Sequence, residues 1–111
     1  MSQKVFVYGT LRKGHGNHHV MEMSKGVFKG KGVTKNKFMS DMTFVPKVYK
    51  YGWPNHSTKH IEGELYDVET MRYMDLLEGH PNLYRREVTP IKLENGSVDN
   101  AWLYFYNPRK K

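Results

Sequence analysis

About six runs rich in β-branched and aromatic residues divide this chain, and only two short stretches between them carry a helical signal. Lys4 to Tyr8 is a β-rich run closed by Gly9, and Val27 to Lys37 is a strand pattern interrupted by Gly30 and Gly32. His60 to Val68 alternates from Ile61 onward, Tyr84 to Leu93 reads as a strand, and Ala101 to Tyr106 as the last one. Pro90 suggests a bulge or an edge in its strand. Glu94-Asn95-Gly96-Ser97 is a hairpin turn. Residues 38 to 60 read as irregular, with Pro46, Gly52 and Pro54 among apolar pieces such as Phe44-Val45 and Val48-Tyr49. One helix is predicted from a cap at Asn17 to about Met23, closed by Gly26. A second is predicted from Glu69 to Glu78, ended by Gly79 and Pro81. Strands dominate and the helices fall between them, which predicts an α+β fold with a mixed sheet able to close into a barrel.

With 111 residues there is room for one core, so residues 1–111 read as a single domain. That core has large pieces to bury, because eight Tyr, five Phe and two Trp are present. The absence of cysteine removes any disulfide framework, thiolate zinc site or cysteine nucleophile. A small domain that folds on packing alone fits a reducing compartment, and no signal-peptide stretch is visible, so a cytoplasmic protein is expected. No segment approaches the roughly 20 apolar residues of a membrane span.

The net charge of +7 admits nucleic acid, anionic surfaces or anionic small molecules as partners. Lys25, Lys29, Lys31, Lys35 and Lys37 crowd a stretch without acids, and the chain closes on Arg109-Lys110-Lys111. The alternation of the lysines suggests an exposed strand face that blocks edge pairing. No RNP-like or zinc-finger motif accompanies the charge, so nucleic acid is not the expected partner.

The second helix carries the first candidate for chemistry. Met71, Met74 and Glu78 stand at i, i+3 and i+7, on one side of a helix, and Leu77 is expected to widen that apolar face. The pattern aims a carboxylate at apolar surroundings, which raises its pKa. Glu78 also precedes the terminating Gly79, where the helix dipole is negative. Both effects move the carboxyl toward neutral titration, as a general acid/base requires. The competing reading has Glu78 leaning into solvent or pairing with Arg85 or Arg86. The second candidate is the turn after the first strand. A strand that breaks at Gly9 and opens toward a helix presents backbone N–H groups that can cradle an anion. It lacks the Gly-Lys-Ser/Thr ending of a phosphate loop.

Val5-Phe6-Val7-Tyr8-Gly9-Thr10-Leu11-Arg12-Lys13-Gly14, followed by Asn17-His18, resembles the opening of the gamma-glutamylamine cyclotransferases and the wider gamma-glutamylcyclotransferase family. Glu62-Gly63-Glu64-Leu65-Tyr66 resembles that family's Gly-Glu-aliphatic-Tyr strand. Leu76-Leu77-Glu78-Gly79-His80-Pro81 resembles the stretch with its catalytic glutamate, Tyr84-Arg85-Arg86 its Tyr-x-Arg, and Trp102 to Tyr106 its closing aromatic strand. The resemblance spans Val5 to Tyr106 and fades between about Phe38 and Lys59. It implies a small mixed β-barrel with short flanking helices and a reaction without cofactor. In that reaction the α-amine of a small γ-glutamyl substrate attacks its own γ-carbonyl, releasing 5-oxoproline and an amine. It implies that Glu78 is the catalytic acid/base and that Tyr8, Gly9, Thr10 and Leu11 hold the glutamyl group. A binding or regulatory module on the same fold is the alternative.

Other residues carry less. Tyr84 either walls the pocket or fills the core. Glu62 and Glu64 share a strand face, and Glu64 reads as a surface or hydrogen-bonded residue. His15, His18 and His19 match no standard metal spacing, so no metal is expected. His80 is expected to face solvent.

Overall fold

The β-rich runs pair into one six-stranded sheet in the computed structural model, which describes residues 2–9, 11–52 and 56–107. In chain order the elements are β1 (Gln3–Val7), α1 (His18–Met23), β2 (Val27–Asp41), β3 (Lys47–Tyr49), β4 (Lys59–Val68), α2 (Arg72–Glu78), β5 (Tyr84–Leu93) and β6 (Val98–Tyr106). The strand order is β3-β2-β4-β1-β6-β5, and β2 also pairs with β5. That last pairing, Gly32–Thr34 against Ile91–Leu93, closes a five-stranded barrel and leaves β3 on its rim. Only β1 and β6 run parallel; the other pairs are antiparallel. The α+β class and the mixed barrel are as the sequence predicts. No helix among the described residues is long and apolar enough to cross a membrane.

Strand alternation sorts the core into two layers. Phe6, Leu65, Ile91, Leu103 and Phe105 fill the barrel. Val5, Val7, Tyr66 and Tyr104 face outward, where Val20 and Met21 of α1 and Met71 and Met74 beside or within α2 cover them. Both faces of β1 are therefore buried, which is why it reads as a continuous apolar run and not as an alternating one.

Several local expectations change. Residues 38 to 60 are not wholly irregular: β2 continues to Asp41, and β3 pairs with it through Met39↔Tyr49 and Asp41↔Lys47. The second helix starts at Arg72 and not at Glu69, because Met71 is already its cap. Of the two readings for Pro90 the edge holds and the bulge does not, since it stays in register opposite Asn100. It lies where β5 has left β2, whose pairing begins at Ile91, so the missing N–H interrupts no second ladder. The lysines of β2 are exposed as expected; β4 flanks one side of the strand, while β5 pairs with the other only at Gly32–Thr34 and β3 only at Met39–Asp41, so Lys29, Lys31, Lys35 and Lys37 stand on stretches of that edge that neither strand covers. The Arg109-Lys110-Lys111 tail lies outside the described residues.

Candidate active site

Helix α2 stops at Glu78 because Gly79 turns left-handed, with φ of 69°, a conformation that side chains disfavour. The His80 N–H closes the end on the Asp75 carbonyl at 2.9 Å. Met71 and Met74 are buried against the outer barrel wall. Glu78 follows them onto that side, as the spacing predicts, and lines a cleft of about 270 Å³. Leu77 does not widen the apolar face as expected; it is 41% exposed, while Met74 is the buried residue of the helix.

Several segments distant in the chain complete the cleft around Glu78. Tyr8, Gly9 and Leu11 come from the turn after β1, and Phe44, Val45 and Pro46 from the loop before β3. Tyr84 of β5 and Tyr104 of β6 add to the wall, with Phe6, Val7 and Asn17. Among the described lining residues, Glu78 is the only acid or base that changes charge near neutral pH. Burial pushes its carboxyl up to about 7. Neither arginine offers relief. The Arg86 guanidinium is held by Asp75, Nε to Oδ1 at 2.8 Å and Nη2 to Oδ2 at 3.0 Å, and Arg85 is exposed. No ion pair among the described residues reaches Glu78.

The tyrosines shape the cleft as neutral groups. Burial raises the hydroxyls of Tyr8, Tyr84 and Tyr104, and the nearby Glu78 charge raises each further, so all stay protonated at neutral pH. Tyr8 donates to the Tyr104 carbonyl at 2.6 Å, fixing the start of the turn against β6. Tyr84 donates to the Pro46 carbonyl at 2.8 Å, which holds the loop over the cleft. Tyr84 is thus both a buried residue and a wall of the pocket.

The turn itself is closed through its carbonyls. The Arg12 N–H and Nε both donate to the Gly9 carbonyl at 3.1 Å. His18 Nδ1 lies 2.9 Å from the Leu11 carbonyl, which can only accept, so that nitrogen carries the hydrogen. None of these bonds uses the amides of Gly9 or Leu11, which fits a cradle for a carboxylate. Thr10, the fourth residue expected in the turn, lies outside the described residues.

Other candidates fall elsewhere. Glu64 is buried and accepts from the Lys13 N–H and the Tyr66 hydroxyl, each at 2.9 Å, so it anchors the turn from behind. With Glu62 it borders a separate recess beside Arg12, Lys31 and Lys92. His80 does not simply face solvent; it is half-buried, and its Nδ1 accepts the Arg86 N–H at 3.2 Å. Sequence reasoning missed Tyr104 and Pro46. Tyr104 had a usable signal in the alternation of Trp102 to Tyr106, which puts Tyr104 on the opposite face from Leu103 and Phe105. Pro46 had none, because its place over the cleft depends on a long-range bond from Tyr84.

Residues 5–111 match the protein family described as "Gamma-glutamyl cyclotransferase, AIG2-like". A protein of Methanocaldococcus jannaschii with a provisional gamma-glutamylcyclotransferase name is 44% identical over 104 residues, covering 92% of this chain and 82% of its own length. The gamma-glutamylaminecyclotransferase of Rattus norvegicus is 32% identical over 116 residues, covering 93% of this chain and 76% of its own. Among solved structures, an aig2-like protein of Mus musculus superposes with a TM-score of 0.77 at 24% identity, over 99% of this chain and 98% of its own.

Proposed function

The chain belongs to the gamma-glutamyl cyclotransferase, AIG2-like family, and from that premise we propose that it releases 5-oxoproline and a free amine from a small γ-glutamyl compound. The observation that carries this reading is Glu78: a carboxyl raised to about 7 by burial, in a cleft whose other described walls carry no formal charge at neutral pH. The α-carboxylate of the glutamyl group docks on the turn of Tyr8, Gly9, Thr10 and Leu11. Folding the substrate back brings its α-nitrogen to its γ-carbonyl, and ring closure within one molecule gains effective molarity. Glu78, as carboxylate, takes a proton from the α-ammonium. The freed amine attacks the γ-carbon, a carbon–nitrogen bond forms, and the bond to the leaving nitrogen breaks. Each proton given up by the attacking nitrogen is matched by one taken by the leaving nitrogen, so Glu78 ends the cycle as it began.

The test is incubation with a panel of γ-glutamyl amines and γ-glutamyl peptides, with 5-oxoproline as the readout. Release from at least one member, at a rate that rises with pH through a midpoint near 7, is expected. The sign follows from the base role, since protonated Glu78 cannot accept the first proton. A panel with no release, from folded protein, would sink the reading.

The exposed lysines of β2 stand outside the cleft lining. Replacing Lys29, Lys31 and Lys35 together with Gln should therefore change kcat/KM by less than about threefold. A loss of about 100-fold would instead put them in substrate binding.

A further inference from the structure

Helix α2 has seven residues, well short of the roughly 12 at which an isolated helix becomes even marginal, so its placement depends on tertiary contacts. Its apolar anchors are Met71 and Met74, while Leu76 is 73% exposed and Leu77 is also exposed. Apolar contact is non-directional; it sets how close the helix lies, and its rotation about its own axis needs directed bonds. Asp75 supplies these. Its two oxygens take the fork of Arg86, and Oδ1 also accepts the Tyr104 hydroxyl at 2.7 Å. A planar fork on a carboxylate fixes orientation as well as distance. Arg86 is held in turn, with its guanidinium carbon 4.3 Å from the Trp102 ring centre and its N–H on His80. Burial pushes the Asp75 carboxyl up, but the bonds from Arg86 and Tyr104 outweigh it and keep it below the usual range, so the pair stays ionic.

Asp75 and Glu78 are three residues apart, neighbours on the helix surface, so fixing the angle of one fixes the other. Asp75 does not line the cleft; it borders a separate recess with Gln3, Thr70 and Arg72. Tyr104 extends its reach, because that residue lines the cleft and its carbonyl receives the Tyr8 hydroxyl. We infer that Asp75 and Arg86 are positioning residues that lock the rotation of α2 and hold Glu78 in the cleft without touching substrate, an inference that rests on the role of Glu78 proposed above.

The experiment is a carbon-13 NMR titration of the Glu78 carboxyl in the parent and in Arg86→Lys, with the signal assigned by its loss in Glu78→Gln. Lysine keeps the charge but not the fork. The parent should titrate near 7, and Arg86→Lys should move the midpoint at least one pH unit toward the ordinary 4.5, as the carboxyl turns to water. Tyr104→Phe, which removes one bond to Asp75, should move it the same way by less. The kcat of Arg86→Lys should fall about tenfold or more, with KM within about threefold. A lowered melting temperature with an unmoved midpoint in both folded variants would make the pair purely structural and overturn the inference. The titration needs no turnover, so it decides the pair's role even for a parent that releases no 5-oxoproline, an outcome that counts against the proposed reaction alone.

Discussion

Glu78→Gln is expected to lower 5-oxoproline release by at least about 100-fold, the lower bound for loss of a general acid/base. Glutamine keeps the shape and the hydrogen-bonding ability of the side chain but cannot move a proton. Binding of 5-oxoproline should stay within about threefold, because the turn after β1 and the tyrosine walls are untouched. The residual rate should lose the pH dependence centred near 7. Stability gives a separate check of the same carboxyl. Its folded pKa lies above the ordinary 4.5, so the folded state binds more protons than the unfolded one between about 4.5 and about 7. Stability of the parent should therefore fall as pH rises through that window. The glutamine variant lacks this loss, so its advantage in melting temperature should grow from pH 4.5 to pH 7 and then level off. A variant with near-parental turnover would make Glu78 structural and would overturn its role as the proton carrier, since Glu64 borders a separate recess.

Gly63→Ala is expected to destabilise the barrel by about 3 kcal/mol or more, at the upper end of what overpacking produces. A Cβ at Gly63 would collide with the Val7 carbonyl oxygen and stand 2.9 Å from the Phe6 ring. Val7 is the last residue of β1, paired with Glu64 of β4 two residues beyond the β6 pairing at Val5, so its backbone has little room to retreat. Gly32 pairs with Gly63 across β2 and β4, and a Cβ there would stand 2.5 Å from the Lys92 carbonyl oxygen. Two facing glycines thus mark where the sheet bends tightly enough to bring β2 onto β5. The melting temperature of Gly63→Ala should drop by about 10 °C or more. Gly16→Ala, where a Cβ meets nothing within 4 Å, is the control, and it should shift by less than about 2 °C. A Gly63→Ala protein that melts within about 3 °C of the parent would mean that the wall yields. Because Val7 leads straight into the turn at Gly9, any shift that accommodates the methyl should also weaken 5-oxoproline binding.

What the sequence determined is what local periodicity and turn chemistry can carry. Met71, Met74 and Glu78 share a side because the helical repeat puts them there, and Gly79 stops the helix at the carboxylate because it alone turns left-handed cheaply. The span of β5 and the break after β1 followed from alternation and glycine in the same way. Periodicity says which face is apolar but not what will cover it. The pattern puts Leu77 beside Met74, yet Leu77 is exposed and Met74 buried. Of the two reasons the sequence offers for a raised pKa, burial on the apolar face and the helix C-terminus, burial is the cause found in the fold, and burial needs the β1 turn, the loop at Phe44 to Pro46, and Tyr104 to converge. Those partners are far apart in the chain: Tyr84 meets Pro46 across 38 positions and Tyr104 meets Asp75 across 29. The sequence also left Arg86 open as a partner for Glu78. Only the tertiary structure decided otherwise, because the sheet aims the fork of Arg86 at Asp75, one helical turn earlier, and leaves Glu78 without an ion pair among the described residues.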